Sequence, residues 1–518
     1  MRDSARLSVR EISAADRQVY RRVLPQRSVL LDCLEYIDWD EFLPELMHYY
    51  SSSGEGQPPY PPLLLLKLEF LGHHHGLGRR ALIERATCDL HWKYFLGLPI
   101  DATLPDHSTL SVFRSRLGPE GFKRIFDKLI GIARQHGLVS DRLRLKDATH
   151  IYADIAVPTA LELFSQLRER MLRAVRLVDP AAADSFEVDL QLIRERTAEA
   201  DKQTCLAARV EIVQDILAWI AEQQAPPDPQ QPAWQKLQAI RQLAEKILRD
   251  QSNPQAGDKT LSVVDPDARR GKHGDYYDGY LLDVMMDAES ELVTALEVLP
   301  ANGDEARDAV ALIEAEEQAH GNDVEQLSID GIGFNGEVLR TLSAKDGLDV
   351  QVFTPPRDFT TSEGFEASEF ELIDDGQRVR CPAGQVSGRG GRKADKPNTV
   401  FYEFPRQTCA GCPLLSACHP KFNPQGRAGR RVSKNAYEKE YQRAREVART
   451  EQYAEVRRRH PAIERKLNEI VRLHGSRRAR YRGHARVHVQ QVLTAMAVNV
   501  KRMLKLLGEH CAPTASWA

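Results

Sequence analysis

The run LRLKDATHIYAD at residues 143–154 places a carboxylate on one face of an alternating segment, and it constrains the fold more than any other feature. Leu145, Asp147 and Thr149 recur at every second position, a spacing that predicts a β-strand with these side chains on one face. A carboxylate on a mostly apolar strand face is costly unless its charge is compensated. A cation supplies that compensation, and Mg²⁺ sites are built from such carboxylates. Asp147 is therefore predicted to be a metal ligand on a core strand.

Two more acids extend this pattern. Asp330 ends a second short apolar strand, LSID, and Glu464 lies on a later helix, IERKLNEIVRLHG. Glu469 lies on the same helix but about 140° around its axis, and the apolar neighbours of Glu464 favour Glu464 as the residue that faces the sheet. Two strand acids and one helix acid are what a two-metal phosphoryl-transfer site requires. Taken singly, Asp330 is also typical of a turn cap, and Glu464 of a solvated helix face.

Length and charge limit the class of protein. A chain of 518 residues predicts roughly two to four modules. Its net charge of −3 does not itself indicate a nucleic-acid partner, but arginines concentrate between residues 471 and 487. Guanidinium groups suit phosphate oxygens, so this segment is predicted to contact a nucleic-acid backbone, with a basic surface loop as the alternative. The predicted contacts are Arg472, Arg477, Arg478, Arg480, Arg482 and Arg486.

Four of the eight cysteines cluster late in the chain. No apolar run follows Met1, and the longest one, PPLLLLKLEFLG, contains Lys67 and Glu69, so we expect neither a secretory signal nor a membrane span. This expectation predicts a location in the reducing cytoplasm, where a cysteine cluster is more typical of metal binding than of disulfides. The spacing predicts a structural Zn²⁺ site, with His419 as a rival ligand and unligated thiols as the alternative. The predicted ligands are Cys381, Cys409, Cys412 and Cys418.

Periodicity divides the chain into helical and mixed segments. Asp106 is predicted to cap a helix that carries Arg114 and Arg116 on its polar side, in a region that either binds nucleic acid or serves in packing. The later order of strands and helices predicts a mixed α/β layer. No Gly-rich phosphate loop and no Ser/His/Asp arrangement is recognisable, so the chemistry need not involve ATP. The segments are a helical N-terminal domain (1–138), a first core strand (139–155), a helical insertion (156–256), a mixed-sheet core (257–354), a Cys-rich β- or loop-rich insertion (355–432) and C-terminal helices (433–518).

These motifs resemble those of bacterial insertion-sequence transposases with a DDE catalytic core, and the resemblance covers most of the chain. It implies a ribonuclease H-like fold, with the three acids on the first strand, after the fourth strand and on a late helix. Those roles would belong to Asp147, Asp330 and Glu464. The segments that carry the resemblance are YPPLLLLKLEFLGHHHGLGRRALIERATCDLHWKYFLGL, PDHSTLSVFRSR, KDATHIYAD, DPDARRGKHGDYYDGYLLDV, LSIDGIGFNGEVLRTL, CPAG with CAGCPLLSAC, and IERKLNEIVRLHGSRRARYRGHARVHVQQVLTAMAVNVKRML.

The resemblance implies an enzyme that holds Mg²⁺ (or Mn²⁺) and cleaves and transfers strands of double-stranded DNA, at an element's terminal inverted repeats and at a target. It also implies recognition of the element's ends by the N-terminal domain, at least a dimer, and a cytoplasmic, nucleoid-associated location. Relatives carry Tyr, Arg and Lys around the third acid; here Tyr453 and Arg457 match loosely, and His460 and Val471 replace Arg and Lys. The alternatives are a catalytically inactive, transposase-derived DNA-binding protein and a zinc-dependent hydrolase centred on the Cys cluster.

Overall fold

The computed structural model describes residues 12–50, 59–253, 255–357, 364–423, 425–426 and 429–511. The chain divides into two compact units, each built from separated stretches of sequence. The first unit holds Met1–Ser140, Asp147–Glu305 and Ile463–Ala518, and the second holds Asp141–Lys146 and Ala306–Ala462. Within the described ranges, none of the helices combines the length and the apolar character that crossing a bilayer requires.

Helices make up the N-terminal part of the first unit. Asp106 accepts a hydrogen bond from the backbone N–H of Ser108 (2.8 Å) and caps the longest of them, as the sequence predicts. This helix is interrupted at Gly118, where φ is +62°, and continues from Pro119. The helices are α1 (Ala14–Val23), α2 (Val29–Tyr36), α3 (Leu43–Met47), α4 (Pro62–His74), α5 (Arg79–Cys88), α6 (Leu90–Phe95) and α7 (His107–Gln135).

The strands of the first unit belong to one sheet. They are the later part of β1 (Arg144–Tyr152), β2 (Arg269–His273), β3 (Asp275–Asp287) and β4 (Val293–Pro300). β3 pairs with β2 on one side and, through its later residues, with β4. β1 follows β3 in the strand order. Gly279 permits this close approach, because a Cβ there would overlap the carbonyl oxygen of Ile151.

Four helices between β1 and β2 enclose a core of their own. Phe164, Met171, Ile216 and Leu237 are buried within it. Phe164 and Met171 share one helix and lie seven positions apart, so burial of one helix face explains the amphipathic pattern there. The helices are α8 (Ala160–Arg176), α9 (Pro180–Arg196), α10 (Lys202–Glu222) and α11 (Pro232–Ser252).

The second unit contains a parallel group of strands. The first residues of β1 pair with β5 (Gln326–Ile329), which pairs with β6 (Gln351–Phe353). Arg144 on β1 is fully buried and donates to Glu316, with Nη2 and Oε1 2.6 Å apart. β1 therefore buries charged as well as apolar side chains, and pairing makes that burial tolerable. The helices are α12 (Glu305–His320), α13 (Gly336–Leu342), α16 (Glu438–Val447) and α17 (Glu451–Arg459).

The Cys-bearing segment of the second unit has a small core formed by Phe370, Val379, Tyr402, Phe404 and Val432. Its strands pair in two groups, β7 with β8 and β9–β10–β11. Its elements are β7 (Glu371–Ile373), β8 (Arg378–Arg380), β9 (Gly391–Lys393), β10 (Lys396–Glu403), α14 (Arg406–Ala410), α15 (Leu415–Cys418) and β11 (Arg431–Asn435).

The C-terminal region is helical. α18 (Pro461–Leu473) begins in the second unit and continues in the first, where α19 (His484–Cys511) packs against α7, α4, α2 and β4. The sequence predicts one helix over 434–459, but α16 and α17 are separate because Thr450 caps the second of them. The strands pair in both senses, so the fold is a mixed α/β one with a helical N-terminal region.

Candidate active site

Asp147 lies on β1 in the first unit and is half-buried. Its Oδ1 accepts a hydrogen bond from the backbone N–H of Ala148 at 2.8 Å. The neighbouring positions Leu145 and Ala148 are buried, so the strand backbone is held firmly on both sides of the acid. The carboxyl group is therefore carried by a rigid element.

The arginine-rich segment after α18 is attached to the end of β1. The backbone N–H of Tyr152 donates to the carbonyl of Arg477 at 2.9 Å, and Ala479 N–H donates to the carbonyl of Tyr152 at 2.9 Å. Arg477 also donates through Nη1 to the carbonyl of His150 (2.7 Å) and to Oγ1 of Thr149 (2.9 Å). The segment thus pairs alongside the end of the strand that carries Asp147.

The six predicted DNA-contacting arginines differ in exposure. Arg477 is half-buried and held by β1, and half-buried Arg480 donates to the backbone carbonyls of Leu77 and His474. These two side chains have structural partners within the first unit. The exposed ones are Arg472, Arg478, Arg482 and Arg486, of which Arg482 pairs with Asp154 at 3.3 Å.

Asp330 lies at the end of β5 in the second unit. Its Oδ1 accepts from the N–H of Ile332 at 3.0 Å and caps a short 3₁₀ turn, while its backbone carbonyl accepts from Oγ1 of Thr354 at 2.7 Å. Gly331 lies beneath the guanidinium of exposed Arg357, where a Cβ would come within 3.3 Å of Nε. Sequence reasoning missed Arg357, whose only signal is a basic residue soon after β6.

Arg457 and His460 fasten α17 to the end of β5. Arg457 Nη1 donates to the carbonyl of Ile329 at 3.0 Å, directly before Asp330, and lies 3.2 Å from Oγ of Ser328. His460 Nδ1 lies 3.0 Å from the same hydroxyl. Burial, with the charge of Arg457 added, lowers the pKa of His460 to about 4, so the ring is neutral at pH 7. Arg457 therefore positions the end of β5, a contact that the loose motif match did not specify.

Glu464 and Glu469 occupy different environments on α18. Glu464 is exposed, whereas Glu469 lies 3.1 Å from Nζ of Lys466 and 2.8 Å from Nζ of Lys501. Burial would raise the pKa of Glu469, but the two lysines outweigh it and lower that pKa. Glu469 thus serves an ion-pair network in the first unit. Glu464 does not pack inward as its apolar neighbours predict, because its side chain is exposed.

Position along the strands relates the two aspartates. The paired positions of β1 and β5 end at Lys146 and Ile329. Asp147 is the next residue of β1, and Asp330 is the first residue after β5. Among the described residues, no group of three or more His, Cys, Asp or Glu side chains has the spacing of a metal site. The carboxylate donors suit a hard cation such as Mg²⁺ in chemistry, and the structure gives no coordination geometry for them.

The four clustered cysteines line one cavity of about 30 Å³ in the second unit. The backbone N–H of Arg430 donates to Sγ of Cys409 at 3.3 Å. Burial raises the pKa of Cys418, and the neighbouring thiols add to that rise while Arg430 opposes it. His419 also lines the cavity. The predicted ligands are therefore neighbours in space, although not at ligand spacing in the described part of the chain.

Comparison with known proteins gives two family matches. A model described as "Transposase domain (DUF772)" matches residues 18–116, and one described as "Transposase DDE domain" matches residues 380–504. The second match includes Glu464, the clustered cysteines and the arginine-rich segment, whereas Asp147 and Asp330 lie outside both.

Similarity to individual proteins is more limited. A relative from Rhizobium meliloti, described as "Uncharacterized protein ORF8 in nfe locus", is 26% identical over 162 residues. These residues make up 29% of this chain and 74% of the relative. No solved structure matches the chain.

Proposed function

We propose that this chain, which belongs to the insertion-sequence transposases with a DDE domain, cleaves double-stranded DNA at the ends of its insertion-sequence element. It would then join those ends to a target DNA. The observation that supports this most strongly is the placement of the two aspartates. Each directly follows the last paired position of its strand, β1 or β5, where these two strands run in parallel. Acids at corresponding strand positions are what a shared phosphoryl-transfer site would need. Such a core would also have the ribonuclease H-like arrangement that we expect from the sequence.

Asp147, Asp330 and Glu464 would hold Mg²⁺ or Mn²⁺, which would supply charge neutralisation at the scissile phosphate and activation of the attacking hydroxyl. The remaining contribution of the protein is positioning. Thr354 and Arg457 fix the backbone on either side of the Asp330 position by donating to the carbonyls of Asp330 and Ile329. Rigid support of this kind keeps a carboxyl group oriented during the reaction.

The DNA itself would be bound by exposed guanidinium groups. Arg472, Arg478 and Arg486 are exposed in the arginine-rich segment, and this segment is attached to β1 through Arg477. Arg forks match phosphate oxygens in geometry and charge. This arrangement would direct the phosphate backbone towards the strand that carries Asp147. Synapsis of two element ends would need at least a dimer.

A strand-cleavage assay tests the proposed activity. The substrate is a duplex that carries the element's terminal repeat, incubated with Mg²⁺ and either wild type, Asp147→Asn or Asp330→Asn. Asn retains the oxygen that accepts from Ala148 or Ile332 but removes the charge. We expect cleavage and strand transfer to fall at least about a hundredfold in both variants, the typical cost of one lost charge-stabilising group.

Asp323→Asn is the matched control, because Asp323 is an exposed acid seven positions before Asp330. Its activity should equal that of wild type, and all four proteins should bind the duplex. Equal cleavage by wild type and both site variants would refute the catalytic role. DNA binding without any cleavage by wild type would instead indicate the inactive DNA-binding alternative.

We also propose that Cys381, Cys409, Cys412 and Cys418 bind a structural Zn²⁺. They line a single small cavity, and thiolates are the donors that zinc prefers. The N–H of Arg430 that contacts Cys409 is the kind of backbone donor that stabilises a metal-bound sulfur. The Cys-bearing segment has a small apolar core, so a metal would add stability that this core supplies only in part.

Metal analysis tests the zinc proposal. The purified wild type should contain one Zn²⁺ per chain, and Cys412→Ser should lose it and become more susceptible to proteolysis within residues 364–435. Cys205→Ser, in the separate helical block of the first unit, should retain zinc. Equal zinc in wild type and Cys412→Ser, or none in either, would overturn the proposal.

A further inference from the structure

A second cavity, of about 430 Å³, lies in the first unit, and none of the three predicted acids lines it. It is bounded by the start of α5, the interrupted middle of α7 and the beginning of α19. A volume of this size falls in the range of small-ligand sites. None of its lining residues in the described part of the chain is Asp or Glu.

Arg114 is fixed on the wall of this cavity by a buried acid. Its Nη1 lies 2.7 and 3.0 Å from the two carboxyl oxygens of Glu69, and both side chains are almost fully buried. The Arg114 guanidinium also lies 4.7 Å from the ring centroid of Tyr481. The sequence predicts Arg114 on a polar helix face, but pairing with Glu69 draws it inward. The group is therefore oriented before any ligand arrives.

Two more guanidinium groups surround the same space. Arg79 donates through Nη1 to Oγ of Ser111, which holds its side chain against α7. Arg486 is exposed at the beginning of α19. Three guanidinium groups thus line one cavity, and one of them, Arg114, is paired with the carboxylate of Glu69. The excess positive charge lacks an acidic partner on the cavity wall.

Backbone polarity adds to this positive character. α7 resumes at Pro119 after the break at Gly118, and both residues line the cavity. A new helical segment therefore begins at the cavity wall, and the start of a helix carries partial positive charge. Serine hydroxyls from Ser111 and Ser115 provide further donors. Guanidinium groups, hydroxyls and a helix start together are the chemistry that recognises a phosphate.

We propose that this cavity binds the phosphate of a nucleotide unit, either in a DNA strand or free. The proposal rests on the proposed function, because it adds a phosphate subsite to a DNA-processing chain. The cavity holds more volume than a phosphate alone needs, and the ring of Tyr481 offers an aromatic wall for the attached sugar or base.

Calorimetric titration of the full chain without divalent metal tests the proposal. The probes are thymidine, thymidine 5′-monophosphate and a 5′-phosphorylated oligothymidine. We expect both phosphate-bearing probes to bind, and thymidine to bind at least tenfold more weakly. Arg79→Gln should weaken phosphate-dependent binding about tenfold, because one charge-assisted hydrogen bond is lost. Arg80→Gln, on the adjacent exposed residue outside the cavity, should bind as wild type does.

A second pair of variants tests the cavity without a change of charge. Ser115→Trp should fill it and weaken binding, whereas Val112→Trp, at an exposed position of α7 outside the lining, should not. If Arg79→Gln weakens binding of the oligonucleotide but not of the mononucleotide, the site takes the DNA backbone. If it weakens binding of the mononucleotide but not of the oligonucleotide, the site takes a free nucleotide.

The proposal is overturned if neither phosphate-bearing probe binds, or if binding is unchanged in both Arg79→Gln and Ser115→Trp. Circular dichroism and thermal melting establish that each variant is folded before titration. Because no metal is present, nucleotide binding by a chain that fails to cut DNA would refute the proposed activity and leave this site intact.

Discussion

Glu464 and Glu469 lie five positions apart on α18 and have different surroundings. The exposure of Glu464 suits a carboxyl group that meets a ligand, whereas Glu469 is held by Lys466 and Lys501. We expect Glu464→Gln to lower strand cleavage at least about a hundredfold, because a charge at the reacting phosphate is removed. Its free energy of unfolding should change by less than about 0.5 kcal/mol, as is usual for an exposed position.

Glu469→Gln serves as the opposite case on the same helix. Removal of its charge weakens two ion pairs, one of them to the buried Lys466, so the free energy of unfolding should fall by about 1–2 kcal/mol. Cleavage by the folded protein should persist. Cleavage assays and urea unfolding of both variants check this, and an exchange of the two phenotypes would mean that the third acid is Glu469.

Contacts between residues that are far apart in the chain could not be predicted from the sequence. Alternation around Asp147 was sufficient to predict its strand, because neighbours in sequence determine that pattern. The partner of Arg144 is Glu316, 172 positions away, and no local pattern connects them. The same holds for Arg457 and the carbonyl of Ile329. Which three acids act together stays a prediction from the strand positions and the family resemblance.

At the scale of elements, α19 hydrogen-bonds the backbone of β4 through a single buried amide. Asn499 accepts from the N–H of Val293 at 2.9 Å and donates to its carbonyl at 2.7 Å. Asn499→Leu would leave both backbone groups buried without this partner, so we expect the free energy of unfolding to fall by about 2–4 kcal/mol. Urea unfolding followed by circular dichroism measures the change.

Asn468→Leu is the matched control, because Asn468 is an exposed asparagine on α18. It should shift stability by less than about 0.5 kcal/mol. If Asn499→Leu were as stable as wild type, α19 would not contribute to the pairing of β4 in the way described.

Elements with strong periodicity were predictable, and their interruptions were less so. The helix capped by Asp106 and the strands around 278–299 follow from local pattern. The predicted helix 434–459 is divided because Thr450 caps its second half. The whole segment is rich in polar residues, so a capping threonine does not stand out in its sequence. The break at Gly118 carries a Gly-Pro signal, but its role as a cavity wall depends on the packing of α5 and α19 around it.

At the scale of the whole molecule, several buried or half-buried histidines are held in neutral form. Burial is the main cause that lowers the pKa of His74, His150, His460 and His488 to about 4. The ordinary value is about 6.5. Between these two values the unfolded chain binds protons that the folded chain does not, so the free energy of unfolding should decrease as pH falls from about 6.5 towards 4. Above about pH 6.5 this contribution is complete.

Urea unfolding at pH 7.5, 6 and 5 measures this dependence, and His460→Gln isolates one contributor. Glutamine retains a polar partner for Ser328 but does not titrate, so the decrease in stability below pH 6.5 should become smaller in the variant. An identical decrease in wild type and variant would show that His460 is not a source of acid sensitivity.

In the proposed site three separated carboxylates act on the same metal ions, and Mn²⁺ binding measured by electron paramagnetic resonance examines this arrangement. In the presence of element-end DNA, wild type should bind Mn²⁺, and Asp147→Asn, Asp330→Asn and Glu464→Gln should each bind it more weakly, whereas Glu469→Gln should match wild type. Unchanged Mn²⁺ binding in all three site variants would contradict the account.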